Sequence, residues 1–283
     1  MRADRQLACL TAILLLGLPL CLQAQRYSFK LYSGSQGLGN LATLCMLQDS
    51  TGYLWIGTQH GLYRYDGAHF LTFEMRDGLP SARIESLYET PDHVLWAGTS
   101  AGLARRVGSR FQYVDVGRPI EIVGRSAIAS DHAGRILVAS SGGLLIGNLT
   151  TTGYRFVPAP QIPGVDPAVH GIHVSPDGVV WFGCGRQICR LESNRMTALG
   201  QELGVPLDRW DALITDNEGT LWIRSSTRLL HRAPSATRFE PAEVQIPENS
   251  DFAALSLGRN GELFVPTDFG ITMRAGGILR FVA

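Results

Sequence analysis

Charge is scarce in this sequence: Asp, Glu, Lys and Arg make up only 18% of the 283 residues, and the 25 Lys+Arg are cancelled by 25 Asp+Glu. With no basic excess to release counterions, nucleic acid is excluded as a partner. The 45% of hydrophobic residues are far too many for a disordered chain, so a compact fold is expected. Cysteine is sparse too, five in all. Cys9 and Cys21 fall in an N-terminal apolar run, and the remaining Cys45, Cys184 and Cys189 are too few for a disulfide framework. Cys184 and Cys189 fit no zinc spacing; local pairing is one reading, but buried free thiols are the favoured expectation. Beyond residue 24 no run approaches the about 20 apolar residues that span a bilayer.

The N-terminal run is the exception to that polarity. Arg2 and Arg5 precede an almost uncharged stretch, residues 7–22, broken by Gly17 and Pro19 and followed by Gln23-Ala24-Gln25. That is short for a membrane anchor and has the three parts of a secretory signal, with cleavage near Ala24. Cys21 follows Leu20, which is bulky for lipoprotein processing. Residues 1–24 therefore read as a signal peptide and 25–283 as the mature chain, periplasmic or secreted and not membrane-spanning.

Glycine is plentiful, 32 residues, and it recurs with a period. Asp49-Ser-Thr-Gly52-Tyr-Leu-Trp55-Ile-Gly57-Thr58-Gln-His60-Gly61-Leu62 returns around Trp96, Leu137, Trp181, Trp222 and Phe264, at steps of 41, 41, 44, 41 and 42 residues. The Asp side chain can accept backbone N–H bonds and the Gly takes positive φ, so Asp-x-x-Gly closes a hairpin. Leu-Trp-Ile-Gly-Thr is a short strand, and Thr-x-x-Gly turns the chain into the next. A further strand pair, such as Phe70–Phe73 and Ile84–Leu87, completes four strands per period. A four-stranded sheet repeating every 40 to 45 residues buries both faces only by stacking copies around an axis, which predicts an all-β propeller of about six four-stranded blades. An additional outer-strand pattern at Phe29–Tyr32 leaves two alternatives: a strand for a seventh blade, making this an incomplete seven-bladed propeller, or an extra edge strand on a six-bladed ring.

The first copy, Asp49 to Arg64, resembles the two-component regulator propeller repeat found in extracytoplasmic sensor regions of bacterial hybrid histidine kinases and related signalling proteins. The resemblance runs from about Tyr27 to Ala283, with departures at Gln187 and Arg224, where the pattern has glycine. It implies a non-catalytic, ligand-sensing propeller of a two-component-type system, part of a larger sensor. A kinase or cyclase output module would lie outside this chain, since no phosphoacceptor helix or glycine-rich ATP lid occurs in it. A propeller enzyme, lyase or glycosidase, and a secreted protein-interaction platform are the alternatives.

Other motifs carry less. Gly98-Thr-Ser100-Ala-Gly102 matches a nucleophile elbow in letters, but the repeat makes it a hairpin where the elbow needs a strand-to-helix turn. His170 and His173 are three apart in a strand and point to opposite faces, a poor start for a metal, and no metal or cofactor is expected. Trp55, Trp96, Trp181 and Trp222 read as blade core. Ligand-binding candidates come instead from topology. The turn between the second and third strands shares an end with the joints between blades, and its residues vary among copies otherwise alike. His60, Arg186, Arg209, Trp210, Asp268 and Phe269 would suit a polar ligand with a stacking surface, a small molecule or glycan; for each one alone, a solvated loop residue is the plainer reading.

Overall fold

A computed structural model describes residues 30–242, 253–276 and 278–281. The chain divides into two compact units, Met1–Tyr32 and Ser33–Ala283. The proposed signal segment and Phe29 lie outside the described residues, and residues 30–32 form no strand. The second unit carries six antiparallel sheets, each with its four strands in sequence order. Blade 1 comprises Thr43–Gln48, Leu54–Thr58, Gly61–Tyr65 and Phe70–Phe73. The innermost strands of blades 2 to 6 are Ile84–Glu89, Ile128–Ser130, Val169–Val174, Ala212–Thr215 and Ser256–Leu257. Those of blades 1 to 5 pack on one another in succession, so the sheets are the blades of a β-propeller.

The Asp turn does more than close a hairpin. Asp49 Oδ1 accepts the N–H groups of Thr51 and Tyr53 at 3.0 and 2.9 Å, and Oδ2 accepts Trp55 Nε1 at 2.7 Å. Asp216 repeats the arrangement with Glu218, Thr220 and Trp222 at 3.0, 2.9 and 2.7 Å. Burial alone would raise the Asp49 carboxyl, but the bonds from Trp55, Thr51 and Tyr53 outweigh it and hold it below the ordinary value. In blade 4 the matching residue is Ser175 rather than Asp177, and its Oγ accepts Trp181 Nε1 at 3.1 Å. Blade 2 has Thr90 at this place, and the buried Trp96 Nε1 has no partner. All four tryptophans are buried at corresponding positions. Three meet an aromatic ring of the following blade edge-on: Trp55 with Phe111, Trp96 with Tyr154 and Trp181 with Phe239.

The second-strand glycine sets the spacing between blades. A Cβ on Gly57 would fall 2.5 Å from Cys45 Sγ and 2.8 Å from Ile84 of blade 2, and one on Gly183 would strike the Trp210 carbonyl. Blades 3 and 6 have Ala139 and Pro266 at this position, and blade 5 has the much larger Arg224. Its side chain is fully buried and Nη2 donates to the Pro266 carbonyl at 3.0 Å, while Nε and Nη1 have no partner. Burial pulls its pKa down to about 10.

The expectation for the cysteines needs correcting. Cys184 and Cys189 form a disulfide with their Cα atoms 5.8 Å apart. In the hairpin ladder Cys184 faces Gln187 and Cys189 faces Phe182, so the two are diagonal neighbours on one face of adjacent strands. Position 184 alone, read as a threonine equivalent, gives no hint of that diagonal. Cys45 is free and buried, and its thiol is pushed up to about 12, first by burial and then by the charge of Glu85.

Burial is not uniform around the wheel. Leu87, Ile128, Ile172 and Leu213 occupy one inner-strand position in blades 2 to 5 and are at most 8% exposed; their equivalent in blade 1, Met46, is 67% exposed. At the other flank, Leu62, Leu103, Leu144, Ile188 and Leu229 face the following blade and are buried, whereas Ile271 of blade 6 is 36% exposed. The outward flanks of the first and last blades thus keep an apolar surface that every interior blade covers.

Candidate functional site

One end of the wheel is assembled the same way in blade after blade: the chain entering an innermost strand hydrogen-bonds to the turn between that blade's second and third strands. Gln59 N donates to Ala42 O at 3.1 Å, Ser100 N to Arg83 O at 3.2 Å, Ser141 N to Glu121 O at 3.3 Å and Gly185 N to Ala168 O at 2.8 Å. Side chains add to the frame. Asn40 pairs with His60 at 3.0 Å, Ser81 with Ser100 at 2.9 Å, and Asp208 Oδ2 accepts Ser225 Oγ at 2.8 Å and Arg228 Nη1 at 3.2 Å. Ser100 is a hairpin residue bonded to Ser81, not an activated nucleophile. The expected junction of variable turns and joints therefore exists, and its backbone is fixed from both sides.

The six candidate residues fall into three groups. Arg186 and Arg209 adjoin through their backbones: Asp208 N donates to Arg186 O at 3.0 Å, and Arg186 Nη2 reaches Leu207 O at 3.4 Å. His60 in blade 1, and Asp268 with the 76% exposed Phe269 in blade 6, sit on turns of the same end. Trp210 is a correction. It is fully buried, packed with Trp181, Ile188 and Leu213, and offers no face to a ligand at the surface. Its indole Nε1 has no partner. A joint tryptophan reads as exposed in sequence, yet it lies two residues before the inner strand Ala212–Thr215 and backs onto Gly183 of the preceding blade, as Ile84 backs onto Gly57.

Sequence reasoning named Arg209 but missed its partner Asp211 and the matching pair in blade 2. Arg83 and Glu85 flank Ile84, and Arg209 and Asp211 flank Trp210; each pair forms an ion pair across a fully buried residue. Arg209 clasps its partner at two points, Nε to Oδ1 at 2.9 Å and Nη2 to Oδ2 at 3.1 Å. In both pairs the carboxylate is hidden and the arginine is not: Glu85 and Asp211 are 9% and 2% exposed, Arg83 and Arg209 42% and 46%. The signal was the spacing Arg-x-acid recurring three repeats apart. Glu85 lies in a β-bulge of its innermost strand, as do Leu44 in blade 1 and His170 in blade 4. Such bulges re-aim a side chain where regular alternation would not.

Between these pairs in blade order come Arg125 and His170. Arg125 takes the Ser86 hydroxyl on its carbonyl at 3.0 Å, and its charge reaches Cys45 alongside that of Glu85. His170 has an unpartnered Nδ1 and a pKa held below the ordinary value, chiefly by burial, against the opposing pull of Asp211. His173, by contrast, ties blade 4 to blade 5 by a 2.7 Å bond between Nε2 and Thr215 Oγ1, and burial lowers it to about 4. A small apolar recess between blades 3 and 4 is lined by Leu144, Ile162, Val165, Phe182, Met196 and the disulfide.

This architecture is that of a β-propeller whose variable turns and blade joints gather at one end. Comparison with known proteins refines the class: residues 37–60 and 78–101 match the two-component regulator propeller family, so the chain carries repeats of that type. Among solved structures, the extracellular domain assigned to a hybrid two component system of B. thetaiotaomicron aligns with a TM-score of 0.73 at 19% identity, covering 90% of this chain and 36% of that one. The extracellular domain assigned to a one component system of the same organism gives 0.69 at 21% identity, covering 87% and 33%. Virginiamycin B lyase from Staphylococcus aureus gives 0.67 at 17% identity, covering 84% and 83%. At these identities the likeness is one of fold, and the chain spans about a third of the length of the two sensor-system domains. No curated protein matches it in sequence. Among the described residues no helix is long and apolar enough to cross a membrane.

Proposed function

We propose that this propeller is the extracytoplasmic recognition module of a two-component-type sensor, non-catalytic itself, which binds a small molecule or glycan at the end where turns and joints meet. The observation that carries this reading is the contrast within that end: a repeated hydrogen-bonded frame holding side chains that differ from blade to blade. Rigid scaffolds with variable loops are where recognition resides. Export by the N-terminal segment places the module outside the cytoplasm, and any kinase or cyclase output belongs to another segment or protein. A thermal-shift screen of saccharides and periplasmic metabolites tests it. The expected result is a saturable rise in melting temperature that His60→Ala or Arg186→Ala removes while leaving the unliganded protein unchanged. Ligand stabilisation indifferent to both, and lost instead on changing Glu89 at the opposite end, would overturn the assignment.

An enzyme on the same scaffold is the second reading, favoured by one observation: His170 is a half-buried imidazole beside Asp211 with a lowered pKa, fit to act as a neutral base. Turnover of any ligand from the screen, abolished by His170→Gln, would decide for it.

A further inference from the structure

We infer that the ligand of this end carries carboxylate groups, as an acidic saccharide does, and that Arg83 and Arg209 receive them, with Arg125 contributing charge between. The inference rests on the recognition reading above and narrows it to a chemical class.

Three features support it. First, the two Arg-x-acid clasps are built alike in blades 2 and 5, each around an anchor residue with no exposed surface. Second, the fold does not require them. Blade 1 places Leu44 at the same bulge and blade 4 places His170, so an acid there is not a structural necessity. Burying a carboxylate costs several kcal/mol before any partner compensates it, and departures from a repeat that carry such a cost mark functional positions. Third, the order of burial has a consequence. With the acids beneath and the guanidinium groups in front, each clasp offers its donors to solvent and hides its acceptors. A guanidinium held in plane by a carboxylate behind it has lost its rotamer freedom in advance, which lowers the entropic cost of engaging a second carboxylate. Neutral hydroxyls would profit equally from exposed acceptors, and at the two clasps these are the groups withheld; the exposed carboxylates of this end, Glu121, Asp166 and Asp268, stand on its turns and joints.

His170 fits the same picture. Its depressed basicity leaves it uncharged at neutral pH, a hydrogen-bonding neighbour that does not compete for anions. Arg118 and Arg186 stand on the outer part of this end, each bonded to a backbone carbonyl, Gly142 O at 3.2 Å and Leu207 O at 3.4 Å.

Calorimetric titration of the full chain with tetragalacturonate and with a hyaluronan tetrasaccharide tests the inference, using the methyl ester of tetragalacturonate as the uncharged control. At least one acid should bind. For tetragalacturonate the ester should be weaker by about tenfold or more, the equivalent of one lost charge-assisted contact. Arg83→Lys and Arg209→Lys keep the charge over the buried acid but lose the fork, and each should weaken the acid by a similar factor; Arg125→Gln should do so by less. Circular dichroism confirms that the variants fold, and the acid-against-ester comparison needs no variant. Equal binding of acid and ester, or wild-type affinity in both lysine variants, overturns the inference while leaving recognition at this end intact. So does failure of both uronates when the saccharide screen yields a neutral ligand. A screen in which nothing binds at all defeats the recognition reading itself.

Discussion

Blades 2 to 5 and the flanks of blades 1 and 6 are written in the same repeat, yet they are packed differently. In the interior, an inner-strand leucine or isoleucine is sealed by the blade before it; in blade 1 the same position holds the largely exposed Met46. The interior also carries polar ties between inner strands, Tyr88 to Ser130 at 2.6 Å and His173 to Thr215 at 2.7 Å, at matching positions two blades apart. A repeat supplies only half of each interface, and the stability of a blade depends on whether a neighbour supplies the rest. The sequence unit is therefore not the energetic unit, which is the junction between two blades.

The largest effect should come from setting the same truncation at both places. Leu87→Ala is expected to cost about 2 to 4 kcal/mol, because the transfer free energy is lost and a cavity remains, whereas Met46→Ala should fall within about 0.5 kcal/mol. Urea denaturation of the two variants would show it, and equal losses would erase the distinction between interior and flank. Acid should act on the interior next. His173 is lowered from 6.5 to about 4, so its neutral form is the one the fold holds. Its contribution is fully present above pH 6.5 and is lost as pH falls from there toward 4, by up to about 3 kcal/mol. His173→Gln should flatten that part of a stability-against-pH curve without changing the end near Asp49, whose lowered carboxyl acts below pH 4.

Two substitutions should strengthen weak junctions. Arg224→Met replaces a buried cation lacking partners at Nε and Nη1 and is expected to raise stability by about 1 to 3 kcal/mol, read as a higher urea midpoint. Thr90→Asp would give Trp96 Nε1 the acceptor that Trp55 and Trp222 already have, worth about 1 kcal/mol. A lower midpoint in either would show that the repeat pattern does not transfer between blades.

Much of this was legible in the sequence because the repeat acts locally. The Asp turn, the tryptophan and the glycine each answer a constraint within a few residues, so their recurrence at steps of 41 to 44 predicts the sheets and their stacking. What was not legible depends on register between strands. The Cys184–Cys189 bond follows from a diagonal in one hairpin, and the burial of Trp210 from where the joint ends and the inner strand begins. The clasps around Ile84 and Trp210 depend on side chains two apart meeting over a buried neighbour, beside a bulge that shifts the alternation in blade 2. No periodic pattern announces a bulge, although Arg-x-acid repeated at three repeat lengths was there to be read.

Among the described residues, the exposed Met46 and Ile271 leave blades 1 and 6 each sealed on one flank only. A blade gripped from one side opens more readily than one gripped from both, so the amide hydrogens of blades 1 and 6 should exchange first and those of blades 2 to 5 last.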